Sequence, residues 1–246
     1  MKKVNPDLQL ALTLADISDR ITLTHFRGSF AVRTKKDQTP VTEVDEAVER
    51  AIRERLDRDR PDDAIIGEEF GERGESPRRW IIDPIDATRN YIRGIPVFAT
   101  LIALDGEVGV VSAPALNRRW WASRGDGAFC DGNRIHVSKV DRFADAQIGY
   151  DSVADFTPPE SFLGLVQKCG RARGFGDFWI HMLVAEGATE IAVEPKVAWW
   201  DMAALQIVVE EAGGRFTAFD GQPRADRGSG VSSNGLLHDA VLEALR

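Results

Sequence analysis

Cysteine is scarce in this sequence, and its scarcity excludes a fold held together by disulfides. Only Cys130 and Cys169 are present, and two cysteines are too few for the disulfide framework of small secreted proteins. The N-terminus does not combine a basic segment with an apolar stretch, as a signal peptide would. We therefore expect a cytoplasmic protein.

Long apolar runs, paired histidines and excess positive charge are also missing. No apolar run approaches the roughly 20 residues needed to span a bilayer, so no membrane association is expected. A zinc site is not expected either, because no two histidines have i,i+4 spacing; they are His25, His136, His181 and His238. The formal net charge of −8, without any run of Lys or Arg, argues against a nucleic-acid partner.

The sequence has the composition of a globular protein, with 246 residues of which 43% are apolar. This length is enough for one large domain or two intimately packed ones. Helical periodicity covers residues 7–26, and Thr42 can cap a second helix that ends before Pro61. A hairpin is predicted at Asp105-Gly106. We predict an N-terminal α+β part with metal-binding motifs, residues 1–145, and a C-terminal α/β part with Asp201 and substrate-side residues, 146–246.

The most informative segment is residues 80–90, WIIDPIDATRN. Residues 80–82 are typical of a buried strand, Pro84 is expected to break it, and Asp86 can cap a helix whose free N–H groups face outward. Oxygen ligands of this kind suit hard divalent cations, and free N–H groups at a helix start suit phosphate. Asp83 and Asp86 would repel each other when partly buried, so their convergence favours a compensating Mg²⁺.

Each acidic residue also has a purely structural interpretation. Asp83 and Asp86 taken singly fit a turn and a helix cap, and Glu68-Glu69 fits a solvated loop after the apolar residues 64–67. Asp201 fits the N-cap of a helix over residues 201–212. Three further residues fit caps or loops: Asp45, Asp177 and Glu194.

The motifs in combination resemble the signatures of the inositol monophosphatase family of magnesium-dependent phosphatases. They occur in the family's order along nearly the whole chain, as residues 67–69 (GEE), 80–90, 200–204 (WDMAA) and 211–214 (EAGG). Residues 36–42, 90–97, 118–121 and 176–179 are similar to the bacterial histidinol-phosphate phosphatase branch. This resemblance implies an α/β fold, a layered α/β/α/β/α sandwich with the site between its two parts.

The resemblance also implies roles for individual residues. One metal ion would be bound by Glu68, Asp83 and the carbonyl of Ile85, and a second by Asp83, Asp86 and Asp201, with a third, weaker ion near Glu68. Thr88, paired with Asp45, would activate the attacking water. Phosphate would bind at Asp86 and at the N–H groups of Ala87 and Thr88. Substrate contacts would come from Glu194, Asp177 and Asp201.

Ala87 stands where the family usually has glycine. Because the phosphate contact is through the backbone, alanine suffices if its φ is negative, whereas a left-handed conformation would cost roughly 1 kcal/mol.

The activity that the resemblance implies is hydrolysis of L-histidinol phosphate to L-histidinol and phosphate, a step of histidine biosynthesis, by a metal-activated water in a homodimer with two to three Mg²⁺ per site. Phe178 and Trp179 can pack on the imidazole of that substrate or belong to the core. The pair Trp120-Trp121 can likewise contribute to a dimer interface or to the core. Three alternatives stay open: an inositol or sugar monophosphatase, a nucleotide 3′-phosphatase, and a non-catalytic family member that binds a partner.

Overall fold

The computed structural model describes residues 5–246, over which the chain forms seven α-helices and fifteen β-strands. The helices are α1 Pro6–His25, α2 Glu43–Asp59, α3 Thr88–Ile92, α4 Glu160–Lys168, α5 Asp177–Ala185, α6 Trp199–Glu211 and α7 His238–Ala244. The strands are β1 Val32–Thr34, β2 Pro40–Thr42, β3 Ala64–Gly67, β4 Gly71–Arg73, β5 Arg79–Asp86, β6 Ala99–Leu104, β7 Val108–Ala113, β8 Arg118–Ser123, β9 Gly127–Cys130, β10 Asn133–Arg134, β11 Gln147–Tyr150, β12 Arg171–Gly174, β13 Ile191–Glu194, β14 Arg215–Thr217 and β15 Gly230–Ser233.

Two large sheets organise these elements, beside a small β1–β2 hairpin. The first sheet has the order β10-β9-β8-β7-β6-β5-β3-β4 and is antiparallel except between β3 and β5. The second has the order β12-β11-β13-β15-β14, with β11 parallel to both of its neighbours. The predicted hairpin at Asp105-Gly106 joins β6 to β7.

Alternating side chains on the strands divide the core into layers. In the first sheet, Trp80 and Ile82 face α1 and α2, whereas Ile81 faces α6. In the second sheet, Ile191 and Val193 pack with α4 and α7, whereas Ala192 packs with α5. Helices α5 and α6 therefore lie between the sheets, and the five layers are the predicted α/β/α/β/α sandwich.

Strand β5 differs from the sequence prediction at Pro84. The strand continues to Asp86, and Pro84 does not end it. Proline is tolerated because the ladder has no need of an N–H there: pairing with β3 stops at Ile82, and pairing with β6 shifts register between Asp83 and Asp86. The prediction that Asp86 caps a helix is also wrong, since the residue before α3 is Ala87 and no side chain caps that helix.

The start of α6 also differs from the prediction. Asp201 is not its N-cap; the N-cap is Ala198, and Asp201 stands in the first turn, where its Oδ2 accepts a hydrogen bond from the Ala198 N–H at 2.7 Å. The Asp201 carboxylate therefore still satisfies a free backbone N–H at the start of the helix. It does so from a position three residues after the N-cap.

The two large sheets use residues 64–134 and 147–233, on either side of the division predicted between residues 145 and 146. That division stays a prediction. The first four residues of the predicted N-terminal part lie outside the residues that the structure describes. Among residues 5–246, no helix combines the length and apolar character that a membrane crossing requires.

Candidate active site

A cavity of about 290 Å³ opens where β5 ends, between the two sheets. It collects side chains from segments that are far apart in sequence. Its lining consists of Thr39, Pro40, Glu68, Asp83, Ile85, Asp86, Ala87, Thr88, Arg89, Asn90, Asp151, Asp177 and Asp201. The cavity therefore contains eight of the ten residues singled out from the sequence; Asp45 and Glu194 lie directly behind its wall.

Three carboxylates converge on one point of this cavity. Asp83, Asp86 and Asp201 each offer an oxygen within 4.8 Å of the others. Strand alternation accounts for Asp83, because it follows Ile81 by two residues and so faces α6, whose first turn carries Asp201. At that separation and an effective dielectric constant near 20, each fully ionised pair would repel by about 3 kcal/mol.

The surroundings do not relieve this repulsion. Burial raises the pKa of Asp83 well above its usual value, and the charges of Glu68, Asp86 and Asp201 raise it further. Burial, together with Asp177 and Asp201, has the same effect on the pKa of Asp86. Burial raises the pKa of Asp201 to about 7. Within residues 5–246 the Asp83 Oδ1 atom is buried without a hydrogen-bond partner.

These features fit a divalent cation. An oxygen-only set of acidic ligands is what Mg²⁺ and Ca²⁺ prefer, and a buried carboxylate oxygen without a donor is available to be such a ligand. The nearby Ile85 carbonyl accepts a hydrogen bond from the Thr88 hydroxyl at 2.9 Å and keeps a second lone pair.

Glu68 approaches the triad together with a lysine that the sequence interpretation did not use. Lys35 Nζ donates to Glu68 at 2.7 Å and to Glu69 at 2.8 Å. Burial raises the pKa of Glu69 to about 7. The ammonium group thus neutralises part of the acidic charge at the edge of the cavity.

A second residue that sequence reasoning missed is Glu49, which is fully buried. Its carboxylate accepts the N–H of Glu69 at 2.7 Å and of Phe70 at 3.2 Å, and it pairs with Arg53. It thereby fixes the loop that carries Glu68. The available signal was its spacing, because Glu49 follows Asp45 by one helical turn on the inward face of α2.

Asp45 and Thr88 meet as predicted. The Thr88 hydroxyl lies 3.3 Å from Asp45 Oδ1, and Asp45 Oδ2 accepts from both the backbone N–H and the hydroxyl of Thr42 in a capping box. Burial raises the pKa of Asp45 to about 6, against the opposing effect of the Thr42 hydrogen bonds. A carboxylate so close to a hydroxyl can hold a proton and pass it on.

Ala87 adopts the left-handed conformation, with φ 65° and ψ 45°. An unstrained alanine here would need a negative φ, and the chain does not adopt one. The left-handed backbone at Ala87 therefore costs about 1 kcal/mol. Ala87 is the N-cap of α3 and Thr88 its first residue, and both line the cavity.

Beside the triad, a second cavity of about 80 Å³ extends the first. Buried Glu194 and partly buried Asp177 line it, with exposed Asp151 at its rim. Burial and the charges of Glu194 and Asp151 raise the pKa of Asp177 well above its usual value. Asp151 was missed by sequence reasoning, although it directly follows the end of β11.

The aromatic residues that the sequence left between the core and an exposed role differ in burial. Phe178 is fully buried and packs against Trp120, which is also buried, so both belong to the core. Trp179 is partly buried and contacts Phe175 edge-on at 5.6 Å. Trp121 is partly exposed and stacks on Phe129.

Comparison with known sequences gives one consistent result. The sequence model described as the inositol monophosphatase family matches residues 4–246. A protein named histidinol-phosphatase from Mycobacterium tuberculosis is 52% identical, over 97% of this chain and 97% of its own length. Its counterpart from Streptomyces coelicolor is 48% identical, over 96% of this chain and 95% of its own length.

Comparison with solved structures confirms the fold. The structure of the Thermotoga maritima IMPase superposes with a TM-score of 0.89 at 33% identity, covering 98% of this chain and 97% of its own. The extragenic suppressor protein SuhB from Bartonella henselae gives a TM-score of 0.90 at 27% identity, with coverage of 98% and 99%.

Proposed function

The chain belongs to the inositol monophosphatase family, and from that membership we propose that it hydrolyses L-histidinol phosphate to L-histidinol and phosphate. The observation that carries the chemistry is the convergence of three carboxylates within 4.8 Å, two of them buried and the third, Asp201, partly buried. The choice of substrate is supported by relatives of about 50% identity over nearly the full length, which are named histidinol-phosphatases.

The metal ligands in this proposal are those of the sequence prediction. Glu68, Asp83 and the Ile85 carbonyl would hold one Mg²⁺, and Asp83, Asp86 and Asp201 would hold another. A third, weaker ion would be held near Glu68. When bound, the ions supply positive charge to the phosphate and lower the pKa of the attacking water.

The phosphate group is held where β5 turns into α3. N–H groups at the start of a helix lack partners within it, and Ala87 is the N-cap of α3 and Thr88 its first residue, beside Asp86. The left-handed Ala87 is compatible with this role, because the contact uses backbone atoms only.

The pair of Thr88 and Asp45 orients the water that attacks phosphorus. With the Ile85 carbonyl engaged by metal, the Thr88 hydroxyl would turn its single proton from that carbonyl to Asp45 Oδ1, 3.3 Å away, and accept a hydrogen bond from the water. With its pKa raised to about 6, the Asp45 carboxyl takes up a proton more readily than an exposed aspartate would.

The leaving group is recognised in the second cavity. Histidinol carries an ammonium group and a titratable imidazole, and the carboxylates of Glu194, Asp177 and Asp201 line the space that it enters. A cation there relieves the repulsion between those carboxylates, whereas inositol offers only hydroxyl groups.

Phosphate release from three substrates tests the proposal: L-histidinol phosphate, inositol 1-phosphate and a 3′-phosphoadenosine nucleotide, each with Mg²⁺ and with EDTA. We expect Mg²⁺-dependent hydrolysis with the highest kcat/KM for histidinol phosphate. Preference for either other ester would reject the substrate, and absence of all Mg²⁺-dependent turnover would favour the partner-binding alternative. We also expect a homodimer, which light scattering measures directly.

A further inference from the structure

A continuous hydrogen-bonded chain of buried side chains ends on Glu194. Ser232 Oγ lies 2.6 Å from His181 Nδ1, and His181 Nε2 lies 3.3 Å from Glu194 Oε2. His181 and Ser232 are fully buried, and Glu194 is only 5% exposed. Neither His181 nor Ser232 lines the two cavities, so their polar contacts serve Glu194 and not a ligand directly.

The fold explains why these three residues meet. Glu194 ends β13 and shares the inward face with Ala192, which pairs with Ser232 of the neighbouring strand β15. His181 lies on α5 one turn after Asp177, whose N–H donates to the other oxygen, Glu194 Oε1, at 2.8 Å. Helix α5 therefore contacts both oxygens of one carboxylate, and β15 supports the imidazole from behind.

The positions of the protons follow from these partners. A carboxylate oxygen accepts, so the proton must be on His181 Nε2. In the neutral imidazole Nδ1 is then an acceptor, and the Ser232 hydroxyl donates to it. The Glu194 carboxylate thus selects the neutral tautomer protonated at Nε2, and the Ser232 hydroxyl satisfies the Nδ1 lone pair that this tautomer leaves. Without that hydroxyl Nδ1 is buried without a partner, which destabilises the imidazole orientation that donates to Glu194.

We propose that His181 and Ser232 are positioning residues that orient the Glu194 carboxylate toward the cationic leaving group. The proposal rests on the proposed function, because it assigns Glu194 to leaving-group recognition. Two donors fix the plane of the carboxylate, and its remaining lone pairs face the 80 Å³ cavity beside Asp177. An orientation prepared before binding lowers the entropic cost of binding.

The first test is Ser232→Ala, which removes one hydroxyl and disturbs packing little. For histidinol phosphate we expect KM to rise about fivefold, the factor that corresponds to one ordinary hydrogen bond, with kcat nearly unchanged. For glycerol 2-phosphate, whose leaving group is uncharged, both constants should stay within about twofold, because the phosphate half of the site is untouched.

Two substitutions of His181 distinguish its donor from its bulk. His181→Leu keeps an apolar side chain but removes the donor, and should raise KM for histidinol phosphate by at least about tenfold, since a hydrogen bond to a charged group is lost. His181→Gln offers an amide N–H near the position of Nε2 and should restore most of the affinity. Equal losses for both esters, or no rescue by Gln, would reduce His181 to a structural residue and overturn the proposal.

The molecule supplies a matched control in His238. This histidine is also fully buried between two hydroxyls, Thr217 Oγ1 and Ser233 Oγ, each at 2.9 Å, but it contacts no active-site carboxylate. Ser233→Ala removes one of those hydroxyls from the same strand, next to Ser232. We expect it to change thermal stability without changing KM for either ester, and an equal KM effect would overturn the proposal.

Two measurements show whether the effect passes through Glu194. In a protein that already carries Glu194→Gln, Ser232→Ala should have no further effect on KM. If the effects of the two substitutions on KM were fully additive, Ser232 would not act through Glu194. A ¹⁵N spectrum of the imidazole groups should show His181 protonated at Nε2 in the wild type, and protonation at Nδ1 alone would overturn the proposal whatever the substrate. Failure of the wild type to hydrolyse histidinol phosphate would reject the proposed function, not the positioning role. The KM of Ser232→Ala would then be measured with the ester that the wild type hydrolyses best. An unchanged KM for that ester would reject the positioning role.

Discussion

Replacing Asp201 by Asn should stabilise the metal-free protein while impairing its function. The substitution removes one of three mutually repelling charges and keeps an oxygen that can accept the Ala198 N–H, so the first turn of α6 remains satisfied. Functional sites often keep a charged group that lowers the stability of the folded protein, because the charge is needed for ligand binding. The two effects of the substitution should therefore have opposite signs.

The magnitude follows from proton linkage. An aspartate pKa of about 7 in the folded protein against 3.8 as its ordinary value means that, between those two pH values, the unfolded chain has already lost the proton that the folded chain keeps. Stability therefore falls as pH rises from about 4 to about 7 and is constant above, by at most about 4 kcal/mol for this group. Asp201→Asn should recover about 1 to 4 kcal/mol at pH 8 and nothing at pH 4.

Urea unfolding in EDTA, followed by tryptophan fluorescence, measures this effect. With a slope near 3 kcal/mol per molar urea, the midpoint at pH 8 should move up by about 0.3 to 1.3 M. Mg²⁺ at 100 times its Kd should stabilise the wild type by about 2.7 kcal/mol and the variant much less. Asp63→Asn is the control, because Asp63 is also an inward-facing carboxylate but pairs with Arg78, and loss of its charge should destabilise. A variant at position 201 that is no more stable than wild type at pH 8 would refute the reasoning.

Three further outcomes are expected. Asp83→Asn should lower Mg²⁺-dependent phosphate release by roughly 10³-fold or more, because that carboxylate contacts both proposed ions; turnover near the wild-type value would contradict the assignment. Ala87→Gly should raise the free energy of unfolding by about 0.5 kcal/mol, since relief of the left-handed strain exceeds the added entropy of the unfolded chain, as thermal unfolding in EDTA would show. Glu49→Gln should lower the free energy of unfolding by about 2 kcal/mol or more, because the buried carboxylate loses its charge beside Arg53 and the Glu69 N–H, and should weaken Mg²⁺ binding in a calorimetric titration; unchanged affinity would separate that loop from the metal site.

The site was predictable where its geometry is local in sequence. Asp83 and Asp86 lie on one short segment, and Thr42 begins α2 with Asp45 three residues later, so spacing alone constrained where these side chains point. The resemblance to a family then joined these segments to Asp201 and Glu194. The structure brings Asp83, Asp86 and Asp201 to one cavity and Glu194 to its extension, with Asp45 behind the cavity wall, while their individual roles stay predictions.

What sequence reasoning missed depends on contacts between distant segments. Pro84 breaks an isolated strand, but here its neighbours on both sides leave that position unpaired. Asp86 suits a helix cap, yet its oxygen is engaged by a backbone amide 92 residues away, that of Phe178. Lys35, Glu49 and His181 carry no motif, because their polar contacts are with other side chains and backbone groups of the chain. Such supporting contacts exist only once the fold has formed.

The first turn of α5 links the two halves of the site. The N–H of Asp177 donates to Glu194 at 2.8 Å, and the next N–H, that of Phe178, donates to Asp86 at 2.7 Å. One carboxylate lines the proposed leaving-group pocket and the other belongs to the carboxylate triad proposed to bind metal. Because Phe178 is anchored in the core and Asp177 has a constrained φ of 57°, the two amides cannot move independently. On the proposed function, we therefore expect metal binding and leaving-group recognition to be coupled through α5, so that a change at either carboxylate alters both.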